Sequence, residues 1–324
     1  MRAIIPVAGV GSRLRPHTHS VPKVMINVAG KPIIGHILDK IISAGFDEAT
    51  IIVGFLGDMI KEYALNNYHM KFDFVEQEER LGLGHAIYLS QHTFSDRPIL
   101  IILGDTIFDV DLKSMVTKHQ TQIGVKYVED PRRFGVAEII DGRIAHVIEK
   151  PEKPKSNLAI VGLYYITQPR LMVECLRELI GSGKRTKDEF QLTDALEMMI
   201  GRGEPMATFP VEGWFDCGAP DTLLATNRYL LGFQSIPAPI NGVVIQPPVY
   251  ISEKAKVSNS IIGPNATIAD DAVIESSVIR NCIISGGATI VSSLLEESLI
   301  GAKAVVRGNY KRINIGDSSE LEFY

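Results

Sequence analysis

The sequence has only three cysteines, Cys175, Cys217 and Cys282. They are odd in number and far apart, which argues against a disulfide framework and against a CxxC zinc site. No apolar run approaches the roughly 20 residues that a bilayer-spanning helix needs. The amino terminus carries one basic residue, Arg2, and then reads as a buried strand rather than a signal peptide, so a cytoplasmic protein is expected. Neither charge is in large excess: 33 Lys and Arg stand against 38 Asp and Glu, for a net charge of −5. Such a surface has no general attraction for nucleic acid or an anionic membrane. A site for an anionic ligand must therefore be a local basic pocket. Histidine runs out early, the last of eight being His146.

What is present first is alternation. Short apolar runs at Arg2–Ala8, Thr50–Val53, Pro98–Leu103 and Leu158–Tyr165 read as strands buried on both faces. Helical periodicity lies between them. In Ile33–Ala44 the apolar positions 33, 34, 37, 38, 41 and 42 share one face, with Pro32 before it and Gly45 after it. Gly84–Thr93, Asp111–Gln120, Pro169–Leu179 and Thr193–Ile200 show similar patterns. Asp109 and Asp111 are expected to start the helix there, and Thr193 or Asp194 to cap the one near 193. The fold class expected is α/β: a Rossmann-like, mostly parallel sheet with helices on both faces, binding ligands at the carboxyl ends of its strands.

The pattern changes near Leu231. Residues 232–248 hold four prolines, Pro237, Pro239, Pro247 and Pro248, and read as a linker after a first domain at 1–231. Beyond it, branched aliphatics recur every five or six positions: Ile251, Val257, Ile262, Ile268, Ile274, Ile279, Ile284, Ile290, Leu295, Ile300, Val306. That is the spacing of a hexapeptide repeat, in which each aliphatic points into the core of a coil. A short left-handed parallel β-helix is expected at 249–315, with a tail at 316–324. The slips to five imply irregular coils.

The first strand runs into AGVGSRLRPHTHSVPKVM. Gly9 and Gly11 let the backbone turn tightly and bring N–H groups to phosphate oxygens. Arg13 and Lys23 supply fixed positive charge, and Arg15 is a weaker third. A dinucleotide-binding GxGxxG does not fit, because Leu14 stands where the third glycine belongs. A Walker loop does not fit either, because no Gly-Lys-Ser/Thr follows.

Two aspartates are placed for metal chemistry. Asp105, in LGDTIFD, follows a buried strand; Asp216 lies between Phe215 and Cys217 in EGWFDCGAPD. A few carboxylate oxygens, completed by water and phosphate, suit Mg2+. Cys217 reads as packing, because magnesium favours oxygen over sulfur. Gln77 precedes Gly82 by five residues, and its amide both donates and accepts, as a pyrimidine edge requires. His85 reads as a helix-start residue. Glu149 offers a carboxylate acceptor for hydroxyls and Lys150 a cation for an anionic group. Trp214 either packs on a ligand or fills the core.

The string from Gly9 to Lys23, with these landmarks in order up to about Leu231, resembles the sugar nucleotidyltransferase family. The resemblance implies that Ala8, Gly9, Gly11, Ser12 and Arg13 bind the nucleotide phosphates. It implies that Arg13 and Lys23 stabilise the reacting phosphates and that Asp105 and Asp216 hold a catalytic Mg2+. Gln77 and Gly82 would read the base. Gly135, Glu149, Lys150, Val161, Gly162 and Trp214 would bind the sugar phosphate. The implied reaction joins a hexose 1-phosphate to a nucleotide from dTTP or UTP. GLGHA (Gly82–Ala86) resembles uridylyltransferases, and PKSNLAIVGLYYI resembles thymidylyltransferases. GDP-mannose or ADP-glucose synthesis, and a non-catalytic regulatory subunit, are the alternatives. Some relatives carry a second, acyltransferase β-helix that relies on histidine; with no histidine in the repeats, a role in homo-oligomerisation or allosteric contact is expected instead.

Overall fold

The computed structural model describes residues 1–308 and 313–322. Residues 309–312 of the expected repeat region, and 323–324 of the expected tail, lie outside the described residues. The chain forms two compact units, Met1–Gly9 with Ile37–Trp214, and Val10–His36 with Phe215–Tyr324. The phosphate-loop segment thus belongs with the carboxy-terminal repeats and not with the strand it follows.

The first unit is built on a nine-stranded sheet. Arg2–Pro6 lies between Ile99–Ile102 and Glu48–Val53, and Glu48–Val53 continues to Lys71–Glu76; these four are mutually parallel. Ile4, Ile52 and Ile101 on one face and Ala3, Ile5, Ile51 and Leu100 on the other are all buried, as strands covered on both faces require. The sheet as a whole is mixed. Leu158–Ile166 runs antiparallel to Ile99–Ile102, and Gly135–Ile140 pairs antiparallel with Arg143–Glu149. The reason for that hairpin is local. Asp141 and Gly142 both adopt positive φ, 50° and 76°, the two-residue turn whose twist matches paired strands.

Helices form at Ile33–Ser43, Leu83–Leu89, Pro169–Ser182 and Leu192–Gly201, close to expectation. The one expected at Asp111–Gln120 shrinks to Leu112–Val116. Asp111 starts it, its carboxylate accepting the Lys113 and Ser114 N–H groups. Asp109 instead closes the strand Thr106–Asp109, because the buried run Thr106–Phe108 holds the chain extended to that point. At the amino edge Arg2 bonds Glu48, Thr50 and Asp73, tying three strands together away from the ligand edge.

In the second unit, parallel strands of two or three residues stack into three sheets, consistent with the expected left-handed β-helix. The register puts like above like: Ile251, Ile268, Ile284, Ile300 and Ile315 form one column, and Val257, Ile274, Ile290 and Val306 another. The columns face inward and bury Ile268, Ile274, Ile284, Ile290 and Ile300, and the third sheet likewise buries Ile262 and Ile279. The first coil begins within the expected linker, since Val243–Ile245 pairs with Ser260–Ile262. The irregular period has a simple cause. The turns at 246–248 and 263–265 are one residue longer than those at 281–282 and 297–298. Serines make the coils polar-satisfied inside: Ser260 Oγ accepts the Ser277 N–H, and Ser277 Oγ accepts that of Ser293. Helix Pro220–Leu231 belongs to this unit. Its buried Asn227 accepts the Ala29 N–H at 2.8 Å and the Thr267 hydroxyl at 2.6 Å.

Candidate active site

The four parallel strands end on one edge of the first unit. Arg2–Pro6 leads to Ala8 and Gly9, Ile99–Ile102 to Gly104 and Asp105, and Lys71–Glu76 to Gln77. This is the carboxyl edge, where open sheets take ligands. Backbones crowd here. A Cβ on Gly54 would lie 2.9 Å from the Ala8 carbonyl oxygen, and one on Gly162 would strike Leu103. Gly162, with φ of +87°, therefore answers to packing as well as to its expected ligand role. Its neighbour Val161 is buried. Asp105 is half-buried, and the Thr106 hydroxyl donates to its Oδ1 at 3.2 Å.

Gln77 is buried, and its Nε2 donates to the Gly82 carbonyl at 3.2 Å. The same nitrogen lies 3.5 Å from His85 Nδ1. Burial pushes the His85 pKa down, which keeps the ring neutral and able to accept. Gly82 has φ of +113°, and a Cβ there would sit 2.6 Å from the Phe190 carbonyl oxygen. Only glycine fits. The Gly84 N–H donates to that same oxygen at 2.8 Å, pinning the segment. His85 lies inside helix Leu83–Leu89, with its ring toward Gln77. The sequence alone offered no signal for this.

Gly135 and Glu149 face each other across their hairpin. Glu149 is 11% exposed and lies 3.3 Å from Lys150 Nζ. Its other oxygen accepts the Thr193 hydroxyl at 2.9 Å. A Cβ on Gly135 would press on Thr193 Cγ2 and on that carboxylate. Thr193 is not a cap, and neither is Asp194: the helix starts at Leu192 with Gln191 before it, and the Thr193 side chain turns to Glu149 instead. Lys150 is exposed, with its N–H bonded to the Phe134 carbonyl. Trp214 meets the Phe134 ring edge-on, centroids 4.8 Å apart.

The second unit holds Arg13 and Lys23. Gly11 has φ of +61°, and a Cβ on it would lie 2.9 Å from Lys23 Cβ. The Thr18 hydroxyl and the Leu14 N–H both donate to the Gly11 carbonyl at 2.9 Å, closing the turn. Lys23 is buried, while Ser12, Arg13 and Arg15 are exposed. Gly218 brings two expected residues together. A Cβ there would lie 2.5 Å from an Arg13 guanidinium nitrogen and 2.8 and 2.9 Å from the Asp216 carboxylate oxygens. Cys217 is buried and, as expected, packs.

The family model described as "Nucleotidyl transferase" matches residues 2–232. The chain belongs to the nucleotidyl transferase family. Similar proteins include a glucose-1-phosphate thymidylyltransferase of Streptomyces antibioticus, 30% identical over 99% of both chains. A UTP–glucose-1-phosphate uridylyltransferase of Haloferax volcanii is 32% identical, over 68% of this chain and 93% of its own. The solved structure of a UDP-glucose pyrophosphorylase complexed with UDP-glucose is 25% identical, with a TM-score of 0.64 over 72% of this chain and 99% of that one. For a nucleotidyltransferase, the donor set suits a hard divalent ion. No group of three or more His, Cys, Asp and Glu among the described residues could hold a metal. Asp105 and Asp216 each carry carboxylate oxygens, the donors that such ions prefer.

Proposed function

We propose that this nucleotidyltransferase joins a hexose 1-phosphate, most readily glucose 1-phosphate, to the nucleoside monophosphate of dTTP or UTP and releases pyrophosphate. One observation carries the reading: parallel strands deliver Gly9, Gln77 and Asp105 to a single sheet edge, and Glu149 is preset for a ligand by Thr193.

An oxygen of the sugar phosphate attacks the α-phosphorus in line, and pyrophosphate leaves opposite. The nucleophile is already an anion, so no general base is needed. The protein's task is to hold two repelling anions together and to offset charge on the leaving group. Arg13 and Lys23 do the second, with the Gly9–Gly11 turn shaping the phosphate path. Gln77, oriented by Gly82 and His85, presents an amide to a pyrimidine edge. Glu149 accepts from sugar hydroxyls, and Lys150 pairs with the sugar phosphate. Asp105 and Asp216 would hold Mg2+, which would supply positive charge to offset that of the reacting phosphates. The demand for a nucleoside triphosphate fits a cytoplasmic enzyme.

The β-helix is proposed as the self-association element. On one of its outer faces Val244, Ile261, Val278 and Leu294 stand in register, with Val244 55% and Leu294 38% exposed. An outward aliphatic column of this kind suits burial against a second copy. A matrix of nucleoside triphosphates against sugar 1-phosphates, read by pyrophosphate release, tests the reaction. Turnover with dTTP or UTP and glucose 1-phosphate is expected; release confined to purine triphosphates would overturn the base assignment, and none with any pair would overturn the reaction.

A further inference from the structure

The outer face of one β-helix sheet is not a free surface. Tyr250, Thr267, Ile283, Leu299 and Asn314 occupy successive rungs of a single outward column. Each side chain of that column except Tyr250 and Asn314 is buried. The segment 10–36 and helix Pro220–Leu231 lie over it. Gly30 rests on the Tyr250 ring, where a Cβ would come within 2.5 Å. Asn227 bonds Thr267 and the Ala29 N–H together. At the last rung Asn314 Oδ1 accepts from His17, a ring that is only 7% exposed. Beside it, Gly316 abuts Pro16 so closely that a Cβ would lie 2.7 Å from two of its ring carbons.

We propose that this column is a positioning platform for the phosphate-binding turn, with Asn314 and Gly316 as positioning residues; this rests on the reaction proposed above. The path is short. Asn314 holds His17, its neighbour Thr18 donates to the Gly11 carbonyl, and Gly11 packs on Lys23. Arg13 and Lys23 leave this turn as side chains only, so their placement is inherited from whatever seats its backbone. A residue moved by the order of 1 Å can lose about 100-fold in rate when the geometry is reactive. The platform therefore gives the repeats an indirect role in nucleotide binding, through the turn they seat and without any chemistry of their own.

Asn314→Ala and Gly316→Val test this in the full-length enzyme, with Asn314→Asp retaining the acceptor and Ile290→Ala weakening the β-helix core away from the column. Amide hydrogen exchange is followed over residues 10–25, and kinetics with each substrate varied in turn. The expected result is faster exchange in that segment and a KM for the triphosphate raised roughly 10-fold or more, with the KM for the sugar phosphate within about 2-fold of wild type. Asn314→Asp restores both, and Ile290→Ala, at equal loss of thermal midpoint, leaves both unchanged. Unchanged exchange and KM in Asn314→Ala and Gly316→Val would overturn the proposal, as would an equal rise in KM in Ile290→Ala. If wild-type protein turns over no substrate pair, the reaction assignment fails, and the exchange measurement alone still decides whether the column seats the turn.

Discussion

Gly218→Ala should disable the enzyme while leaving it folded. A Cβ at this position would lie 2.5 Å from the Arg13 guanidinium and 2.8 and 2.9 Å from the Asp216 oxygens. Ordinary contact begins near 3.4 Å. The two oxygens must then retreat by about 0.5 Å and the guanidinium by about 0.9 Å to restore van der Waals spacing. All three atoms are ends of flexible side chains, so the backbone need not move, and stability should change by less than about 1 kcal/mol. The displaced groups are the proposed metal ligand and the proposed phosphate cation. A shift of this size should lower kcat/KM by about 100-fold, or roughly 2.7 kcal/mol of transition-state stabilisation. Pyrophosphate release, measured beside a thermal melt, checks both halves. Near-wild-type turnover in Gly218→Ala would refute the placement of Arg13 and Asp216 in the chemistry. Collapse of the melt would refute the claim that only side-chain ends are displaced.

Other substitutions probe other parts of the reading. Asp105→Asn and Lys23→Ala should each lose about 10²–10³-fold in kcat with circular dichroism unchanged; normal turnover in either removes its role. Ile261→Glu, in the middle of the exposed aliphatic column, should convert an oligomer to monomer in sedimentation without loss of fold, and an unaltered sedimentation profile would place self-association elsewhere. His17 gives a pH dependence with a definite sign. Burial lowers its pKa below 6.5 in the folded protein, against a smaller opposing pull from its bond to Asn314 and from Asp317. Between that lowered value and 6.5 the unfolded chain binds more protons, so stability rises with pH through this window and is lost as pH falls below about 6.5. His17→Gln should flatten part of the fall in thermal midpoint between about pH 7.5 and 5.5; an identical slope would contradict the burial argument.

The parts of the site that were legible in the sequence are those built from local grammar. A glycine turn after a buried strand, and an acid just past a later buried strand, can be read because strand ends and ligand edge coincide in parallel sheets. The contact of Gln77 with the Gly82 carbonyl is local in the same way, spanning five residues of one connection. His85 and Thr193 were not legible. Their roles depend on which side chain they meet, Gln77 in one case and Glu149 in the other, and the second pairing spans a strand, a loop and a helix. The helix Gly57–Asn67 leaves little trace in the sequence, because it buries only Gly57, Ile60 and Ala64 and shows little apolar periodicity. The repeats announced themselves by spacing, yet their turns of two or three residues decided where the period slipped. Nothing in the pattern indicated that residues 10–36 would pack with those repeats. That depends on single residues such as Asn227 and Gly30, whose partners are remote in sequence.

The decisive experiment is a crystal structure of the enzyme grown with Mn2+ and its sugar-nucleotide product, with the ion located by anomalous scattering. A single peak bonded to carboxylate oxygens of both Asp105 and Asp216, at about 2.0–2.3 Å, and to a phosphate oxygen of the product is expected. A peak bound to one of these residues with the other turned away from the nucleotide would contradict the shared ion on which the proposed reaction depends.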